Sequence, residues 1–241
     1  MWTREQLKSN AKINFKRNYW PCVGVGFIVM LISSGGATSG VRNGVDYVQQ
    51  SEGTVSSGIS FFDMHSGIVM ALAAVGVMFG IFGILFSIFV GNVLRIGADR
   101  FFIQNRSDVP GVGTVLDGFR SGHYGNIVVT MLLKDIFTTL WTMLFVIPGI
   151  IKGLEYLMIP YILAENPGMD RKEAFMISKR MMDGEKWNAF VLELSFIGWY
   201  LVSTITCGLA GIFYVTPYVE ATMTELYAYN KGKAYQEGYI R

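Results

Sequence analysis

The sequence predicts an all-α fold, a polytopic transmembrane helical bundle of about six spans with short amphipathic cytoplasmic helices. Of its 241 residues, 51% are hydrophobic and 16% are charged, at a mean hydropathy of +0.38. Polar groups are therefore too few to cover a globular surface. The apolar residues are gathered in runs of about 17 to 25, the length at which a helix crosses a hydrocarbon core of about 30 Å. The whole chain, residues 1–241, is thus predicted to be a single integral membrane domain.

Six apolar runs follow one another along the chain. They cover residues 19–35, 67–94, 126–147, 148–164, 188–206 and 208–229. The fourth run is short, and Pro148 and Gly149 break its start. The runs lack the alternation of a barrel strand, and lipid requires every backbone polar group of a span to be bonded internally. Each run is therefore predicted to be a helix.

Positive charge is concentrated in four segments that flank these runs. Of the 20 lysines and arginines, 17 fall in residues 1–18, 95–125, 165–187 and the tail after 229. Because positive residues beside spans are retained on the cytoplasmic side, these segments and both termini are predicted to be cytoplasmic. The net charge of +2 averages two unequal sides and indicates no nucleic-acid partner.

The segment 36–66 is predicted to be an extracytoplasmic loop. Arg42 is its one basic residue, and it is rich in glycine and serine, as in "SEGTVSSG". Such a composition is typical of a solvated linker. A binding loop is the alternative.

The first 18 residues are predicted to form an interfacial amphipathic helix. Thr3 and Gln6 form a capping box, and Leu7, Ala11 and Phe15 recur every four residues. With its interleaved lysines, this pattern is typical of a helix that lies on an anionic inner leaflet. We therefore expect it to lead into a retained span rather than to be a cleaved signal.

A second amphipathic helix is predicted inside the cytoplasmic segment 165–187. Asp170 can cap its start and Gly184 can end it. One face carries Ala174, Ile177, Ser178 and Met181. An interfacial or packed helix explains this pattern, and a site for a partner protein is the alternative.

Enzyme signatures are absent from the sequence, so we predict no catalytic, metal or cofactor-binding residues. His65 and His123 lie in loops on opposite sides of the predicted membrane. The sequence has neither a zinc-binding helix with two histidines nor a phosphate-binding loop. Cys22 lies near the predicted cytoplasmic end of the first run and Cys207 near the predicted outer end of the fifth. Most of the bilayer separates them, so no disulfide is expected between them.

Four charged residues interrupt the apolar runs in one half of the predicted bilayer: Lys134, Asp135, Glu193 and Glu220. A lone charge that faces lipid costs about 2.5 to 3.5 kcal/mol, so such residues usually turn inward and pair. We expect Lys134 to pair with Glu193 or Glu220, and Asp135 to lie nearer a helix interface or water. The cluster is either a buried ion pair that fixes helix register or a transport ligand or proton relay.

A further pair is predicted at the outer turn between the third and fourth runs. The stretch "IPGIIKG" places Lys152 there, with Glu155 three residues later. Residues 76–80 and 149–153 have small residues four apart, which lets helices approach closely.

Several stretches resemble the domain-of-unknown-function 975 (DUF975) family of bacterial integral membrane proteins. They are "MWTREQLK", "IPGIIKGLEYLMIPYILAENP" and "AFMISKRMMDGEKWNAFVLELSFIGWYLVSTITCG", followed by "YVTPYVEATMTELY". The resemblance covers nearly the whole chain outside 36–66. It implies a multi-pass plasma-membrane protein of bacteria and implies no activity.

Three functions are therefore compared, and an intramembrane hydrolase is the least expected of them. The first is a non-enzymatic accessory or regulatory protein of the bacterial cell envelope, whose partner is a membrane protein or a second copy of the chain. The second is a small-solute, peptide or lipid carrier that uses the intramembrane charges.

Overall fold

The computed structural model of the chain describes residues 2–34 and 62–240. Every regular element in these ranges is helical, which confirms the predicted all-α class. Most of the predicted extracytoplasmic loop, including Arg42, lies outside the described residues.

The chain divides into two compact units, Ile32–Gly91 and a larger unit of Met1–Leu31 with Asn92–Arg241. The helix Tyr19–Ser34 starts in the larger unit and ends in the smaller one. The smaller unit also holds the helix Phe62–Phe86 and a π-helical turn at Ser87–Gly91. The α-helices, numbered in chain order, are α1 Arg4–Arg17, α2 Tyr19–Ser34, α3 Phe62–Phe86, α4 Asn92–Gln104, α5 Asp117–Arg120, α6 Tyr124–Leu144, α7 Val146–Glu155, α8 Ile159–Glu165, α9 Arg171–Met181, α10 Lys186–Leu194, α11 Ile197–Ile205 and α12 Thr216–Gln236.

Four stretches of the described chain are long and apolar enough to cross a membrane. They are Ala74–Gln104, Tyr124–Leu144, Val146–Glu165 and Lys186–Ile205. In three of them, only 11%, 22% and 17% of the most apolar window is buried, whereas in Val146–Glu165 the share is 50%. Three stretches thus present apolar surface outward, as lipid-facing helices do.

The predicted count of about six spans stays a prediction. The first run forms α2, whose apolar part is a shorter helix, Tyr19–Ser33. The last run continues into α12, which is too polar to qualify by composition. Its buried residues include Glu220, Glu225 and Asn230, so neighbouring helices rather than lipid cover much of it.

Two of the candidate spans are interrupted near their middle. Between α7 and α8 the helix breaks over Tyr156–Met158, and Pro160 lies in the first turn of α8. Proline lacks a backbone N–H and suits the start of a helix rather than its interior. Between α10 and α11 the break falls at Ser195 and Phe196.

Helix α1 begins with the predicted capping box, in which Thr3 and Gln6 bond each other's backbone N–H. Leu7, Ala11 and Phe15 are buried, and α1 packs along α12. Protein rather than lipid therefore covers the apolar stripe, and the position of this helix on the inner leaflet stays a prediction. The Lys8 ammonium lies 4.4 Å from the ring centre of Phe196. Burial, with Arg4 and Lys12 nearby, lowers the pKa of Lys8.

Helix α9 matches the second amphipathic prediction. The Asp170 side chain accepts a hydrogen bond from Lys172 N, and Gly184 has a positive φ of 75° just beyond the helix. The predicted face of Ala174, Ile177, Ser178 and Met181 is buried. This face packs within the protein and is not free to bind a partner.

Polar side chains gather where several helices of the larger unit begin or end. We call this region the charged end; it comprises Asn14, Arg17, Asn18, Asn105, Arg106, Glu165, Glu225 and Lys231. Arg106 Nε lies 2.9 Å from Glu225 Oε1, and Lys231 Nζ lies 2.6 Å from Glu165 Oε2. Asn18 donates to Asn105 over 2.9 Å. Residues of the N-terminal, 95–125 and 165–187 segments and of the tail therefore lie close together. Their cytoplasmic placement stays a prediction.

Both cysteines are free thiols, as expected. Cys22 is buried, with its Sγ 3.5 Å from Asn105 Nδ2, and Cys207 is exposed. Cys207 is the one non-glycine residue with positive φ in the described chain, in a turn that leads to Gly208.

Candidate functional site

A buried charge cluster joins α4 to α12. Arg95, in the first turn of α4, donates two hydrogen bonds to Glu220 in α12, of 2.7 Å to Oε1 and 2.8 Å to Oε2. Such paired bonds between a guanidinium and a carboxylate are among the strongest that side chains form. Glu220 is only 8% exposed. The pair therefore fixes the register of the two helices.

Asp99 lies one turn after Arg95 on the same face of α4. Its Oδ1 is 3.3 Å from Arg95 Nη2, and the residue is 1% exposed. Neither carboxylate oxygen has a hydrogen-bond partner among the described residues. Buried polar atoms nearly always have a partner, so Asp99 is an exception that calls for a chemical explanation.

Two more side chains complete the surroundings of Asp99. Tyr161 of α8, which is 2% exposed, interacts electrostatically with Arg95, Asp99 and Glu220. Lys134 of α6 interacts with Asp99 electrostatically. We call Arg95, Asp99, Tyr161 and Glu220 the Arg95 cluster.

The Arg95 cluster holds more negative than positive charge. One guanidinium serves two carboxylates, and its best hydrogen bonds go to Glu220. A buried carboxylate without hydrogen bonds is costly, because its charge has lost water and gained little in return. Such a group can bind a proton, or it can remain charged and destabilise the fold. Among the described residues it has neither the neighbouring base that activates a nucleophile nor the further ligands that a metal ion needs. Among the described residues, no group of three or more His, Cys, Asp or Glu is placed to hold a metal ion.

Residues 144–231 match the DUF975 family. The description of that family is "Protein of unknown function (DUF975)". The match confirms the resemblance over this segment, and the opening stretch "MWTREQLK" lies outside it. Neither curated proteins nor solved structures gave a match.

The DUF975 segment supplies only part of the Arg95 cluster. Tyr161 and Glu220 fall within it, whereas Arg95 and Asp99 precede it. The segment thus contains two helices, α8 and α12, that the cluster joins to α4.

The structure corrects the predicted pairing of Lys134. Glu220 pairs with Arg95 instead, and Lys134 Nζ lies 3.2 Å from its neighbour Asp135. Asp135 is half exposed, and Asn92 Nδ2 approaches it at 3.5 Å. Lys134 therefore pairs with the half-exposed Asp135 and interacts electrostatically with the buried Asp99.

Glu193 does not join the other three predicted residues. Its side chain is exposed, and it has no ion-pair partner among the described residues. It lies two residues before the break between α10 and α11. The prediction that it pairs with Lys134 is therefore wrong.

Lys152 and Glu155 do pair, with Nζ 2.6 Å from Oε2. Glu155 also accepts from Lys186 over 2.7 Å, and its backbone oxygen accepts from Ser178 over 2.7 Å. Lys186 and Ser178 come from the segment predicted to be cytoplasmic. The predicted position of the pair at an outer turn therefore does not fit these contacts.

Sequence reasoning missed Arg95 and Asp99 because both were assigned to the segment 95–125 beyond the second run. The structure extends the helix to Gln104, ten residues past the predicted end at Leu94. Their spacing in the sequence could have identified them. Arg95 and Asp99 are one helical turn apart, and Phe102 follows at helical spacing on the same face.

Proposed function

We propose that this chain is a non-enzymatic, multi-pass protein of the bacterial plasma membrane that assists or regulates a membrane-protein partner. The observation that supports an accessory role is the pairing of Arg95 with the buried Glu220 across two helices. Arg95 and Glu220 satisfy each other and are packed between helices. A carrier needs such groups to line a cavity that admits a solute.

The described clefts open elsewhere. Three of them, of about 430, 210 and 540 Å³, are lined by charged-end residues that include Arg106, Glu165 and Glu225. Arg95, Asp99 and Glu220 line none of these three.

Exposed apolar faces supply the surface for a partner. Leu140 and Met143 of α6 are 57% and 86% exposed, and Leu201 and Ile205 of α11 are 60% and 81% exposed. Lipid covers such faces by default, and a partner helix can replace lipid through close packing. Trp20 and Trp187, 72% and 71% exposed, suit the interface with the headgroups.

Photo-cross-linking in cells tests the accessory role. We expect a photoreactive residue at Met143 or Ile205 to give one adduct of defined mass, because a partner packs against a particular helix face. The buried position Ile177, 2% exposed, is the matched control and should give none. The protein identified in the adduct should lose activity or stability when this chain is deleted.

Lipid adducts alone at all exposed positions would contradict the accessory role. Uptake of a solute by vesicles that contain only the purified chain would favour the carrier, the second candidate. The observation that supports a carrier is Asp99, a buried carboxylate that has no hydrogen bond among the described residues.

We further propose about six crossings with both termini cytoplasmic. The support is the charged end, where all four basic segments meet. Reporter fusions after Asp108, Asp183 and Lys233 should show cytoplasmic activity, and a fusion after Thr54, outside the described residues, should show extracytoplasmic activity. An extracytoplasmic signal at Asp183 would contradict this arrangement.

A further inference from the structure

We propose that Asp99 is a proton-binding site inside the helical body. This inference does not depend on the accessory role, because it concerns the occupancy of one carboxyl group. Three observations carry it: the burial of Asp99, its unpartnered oxygens, and the distribution of charge around it.

Arg95 directs its hydrogen bonds at Glu220 rather than at Asp99. Its two terminal nitrogens donate to the two oxygens of Glu220. Asp99 receives only a 3.3 Å approach to Nη2, which forms no hydrogen bond, although its carboxylate is within reach of the same guanidinium. Arg95 thus stabilises the charge of Glu220 far better than that of Asp99.

Four charged or titratable groups surround Asp99, on its own helix and on the helices packed against it. Arg95 faces it from its own helix, Glu220 from α12, Tyr161 from α8 and Lys134 from α6. Lys134 also lies 3.2 Å from Asp135, so its charge is shared. Three carboxylates therefore compete for two cations, and the one that is most buried has the weakest partner.

The occupant that suits the Asp99 carboxylate is a proton rather than a metal ion. Moving a carboxylate out of water costs several kcal/mol, and the ion pair of Asp99 with Arg95, which lacks a hydrogen bond among the described residues, compensates it poorly. A bound proton removes that charge. A metal cation would have to lie next to the Arg95 guanidinium, 3.3 Å from Asp99 Oδ1, which repels it. A proton needs no further ligands and turns one oxygen of Asp99 into a donor.

Proton binding at Asp99 would link pH to the packing of α4 against α12. With the proton in place, Arg95 stays committed to Glu220. When the proton leaves, Asp99 competes with Glu220 for the same guanidinium, and the contact between the helices is weakened. The ligand of the site is thus a proton, delivered from whichever aqueous phase reaches the cluster.

Infrared spectroscopy on the purified full chain in lipid nanodiscs tests this proposal. Cell-free synthesis with isotopically labelled aspartate distinguishes aspartic acid bands from those of glutamic acid. We expect a labelled carboxylic-acid carbonyl band at about pH 5 that disappears on titration towards about pH 9. Asp99→Asn should abolish this band. Asp135→Asn is the matched control and should retain it, because Asp135 is half exposed and lies beside Lys134.

A second variant keeps the test decisive if Asp99→Asn fails to fold. Glu220→Gln removes the competing charge and frees Arg95 for Asp99, so the labelled band should disappear at a lower pH than in the unmodified chain. Absence of any titrating labelled band in the unmodified chain would overturn the proposal. So would a band that survives Asp99→Asn, or one that Glu220→Gln leaves at the same pH.

Discussion

Replacing Arg95 with methionine should lower the free energy of unfolding by about 3 to 5 kcal/mol, the usual cost of leaving a buried charge without its partner. Methionine fills much of the same space, so the loss reflects charge rather than a cavity. Glu220 and Asp99, 8% and 1% exposed, would both stay buried without a guanidinium. Unfolding in mixed micelles, followed by far-ultraviolet circular dichroism, measures the change.

A double-mutant cycle separates the ion pair from general damage. Glu220→Gln alone should also destabilise, because Arg95 then keeps only its contact with Asp99 and Tyr161. The double variant Arg95→Met with Glu220→Gln should recover part of the summed loss, since residue 220 then carries no charge that needs a guanidinium. The recovery is partial because Asp99 still lacks Arg95.

The control for this cycle is Arg100→Met, one turn further along α4. Arg100 Nε lies 3.4 Å from Asp117, and both side chains are partly exposed. An ion pair of this kind contributes at most about 1 kcal/mol. Equal losses for Arg95→Met and Arg100→Met would show that the Arg95 cluster is not a buried, tightly coupled site.

The helical class could be predicted from the sequence because membrane length and lipid-facing composition leave a direct record in the apolar runs. The helix caps at Thr3 and Asp170 were predicted for a similar reason, since capping depends on residues three or fewer apart. The last run shows the limit of this reasoning. Its helix α12 buries Glu220, Glu225 and Asn230 against other helices, and hydropathy does not distinguish burial in protein from exposure to lipid.

The candidate site could be predicted only in part because its residues come from distant parts of the chain. Glu220 was identified as an intramembrane charge, yet its partner Arg95 is 125 residues away. Arginines near the ends of runs were counted as cytoplasmic charges, and that count does not reveal whether a given arginine turns back into the protein. Position along a run likewise placed Lys134 and Glu193 in the same half of the predicted bilayer. It did not show the direction in which each side chain points.

The N-terminal helix shows a similar ambiguity. An apolar stripe with flanking lysines suits a leaflet surface, and it equally suits the flank of another helix. The structure resolves it through Leu7, Ala11 and Phe15, which are buried, and through Ile13, which is 64% exposed. Only the position of α12 decides which face is covered.

The second large effect is expected at Gly97, between Arg95 and Asp99 on α4. A Cβ there would overlap the backbone carbonyl oxygen of Val115, in the short 3-10 helix Val112–Leu116. A Cβ on Gly118 would likewise lie 2.7 Å from the carbonyl oxygen of Val93. The two glycines therefore let residues 112–120 dock directly on the backbone of α4, beside the Arg95 cluster.

Gly97→Ala should therefore destabilise the protein by about 1 to 3 kcal/mol or more, because backbone atoms cannot rotate away as a side chain can. The same substitution at Gly232, in the interior of α12, is the matched control. A Cβ there meets nothing within 4 Å, so alanine should stabilise the helix by about 0.5 to 1 kcal/mol. Both changes can be measured by the same micelle titration. If Gly97→Ala is as stable as Gly232→Ala, then residues 112–120 do not lie against α4 as closely as the structure has them, and they do not help to hold Arg95 and Asp99 in place.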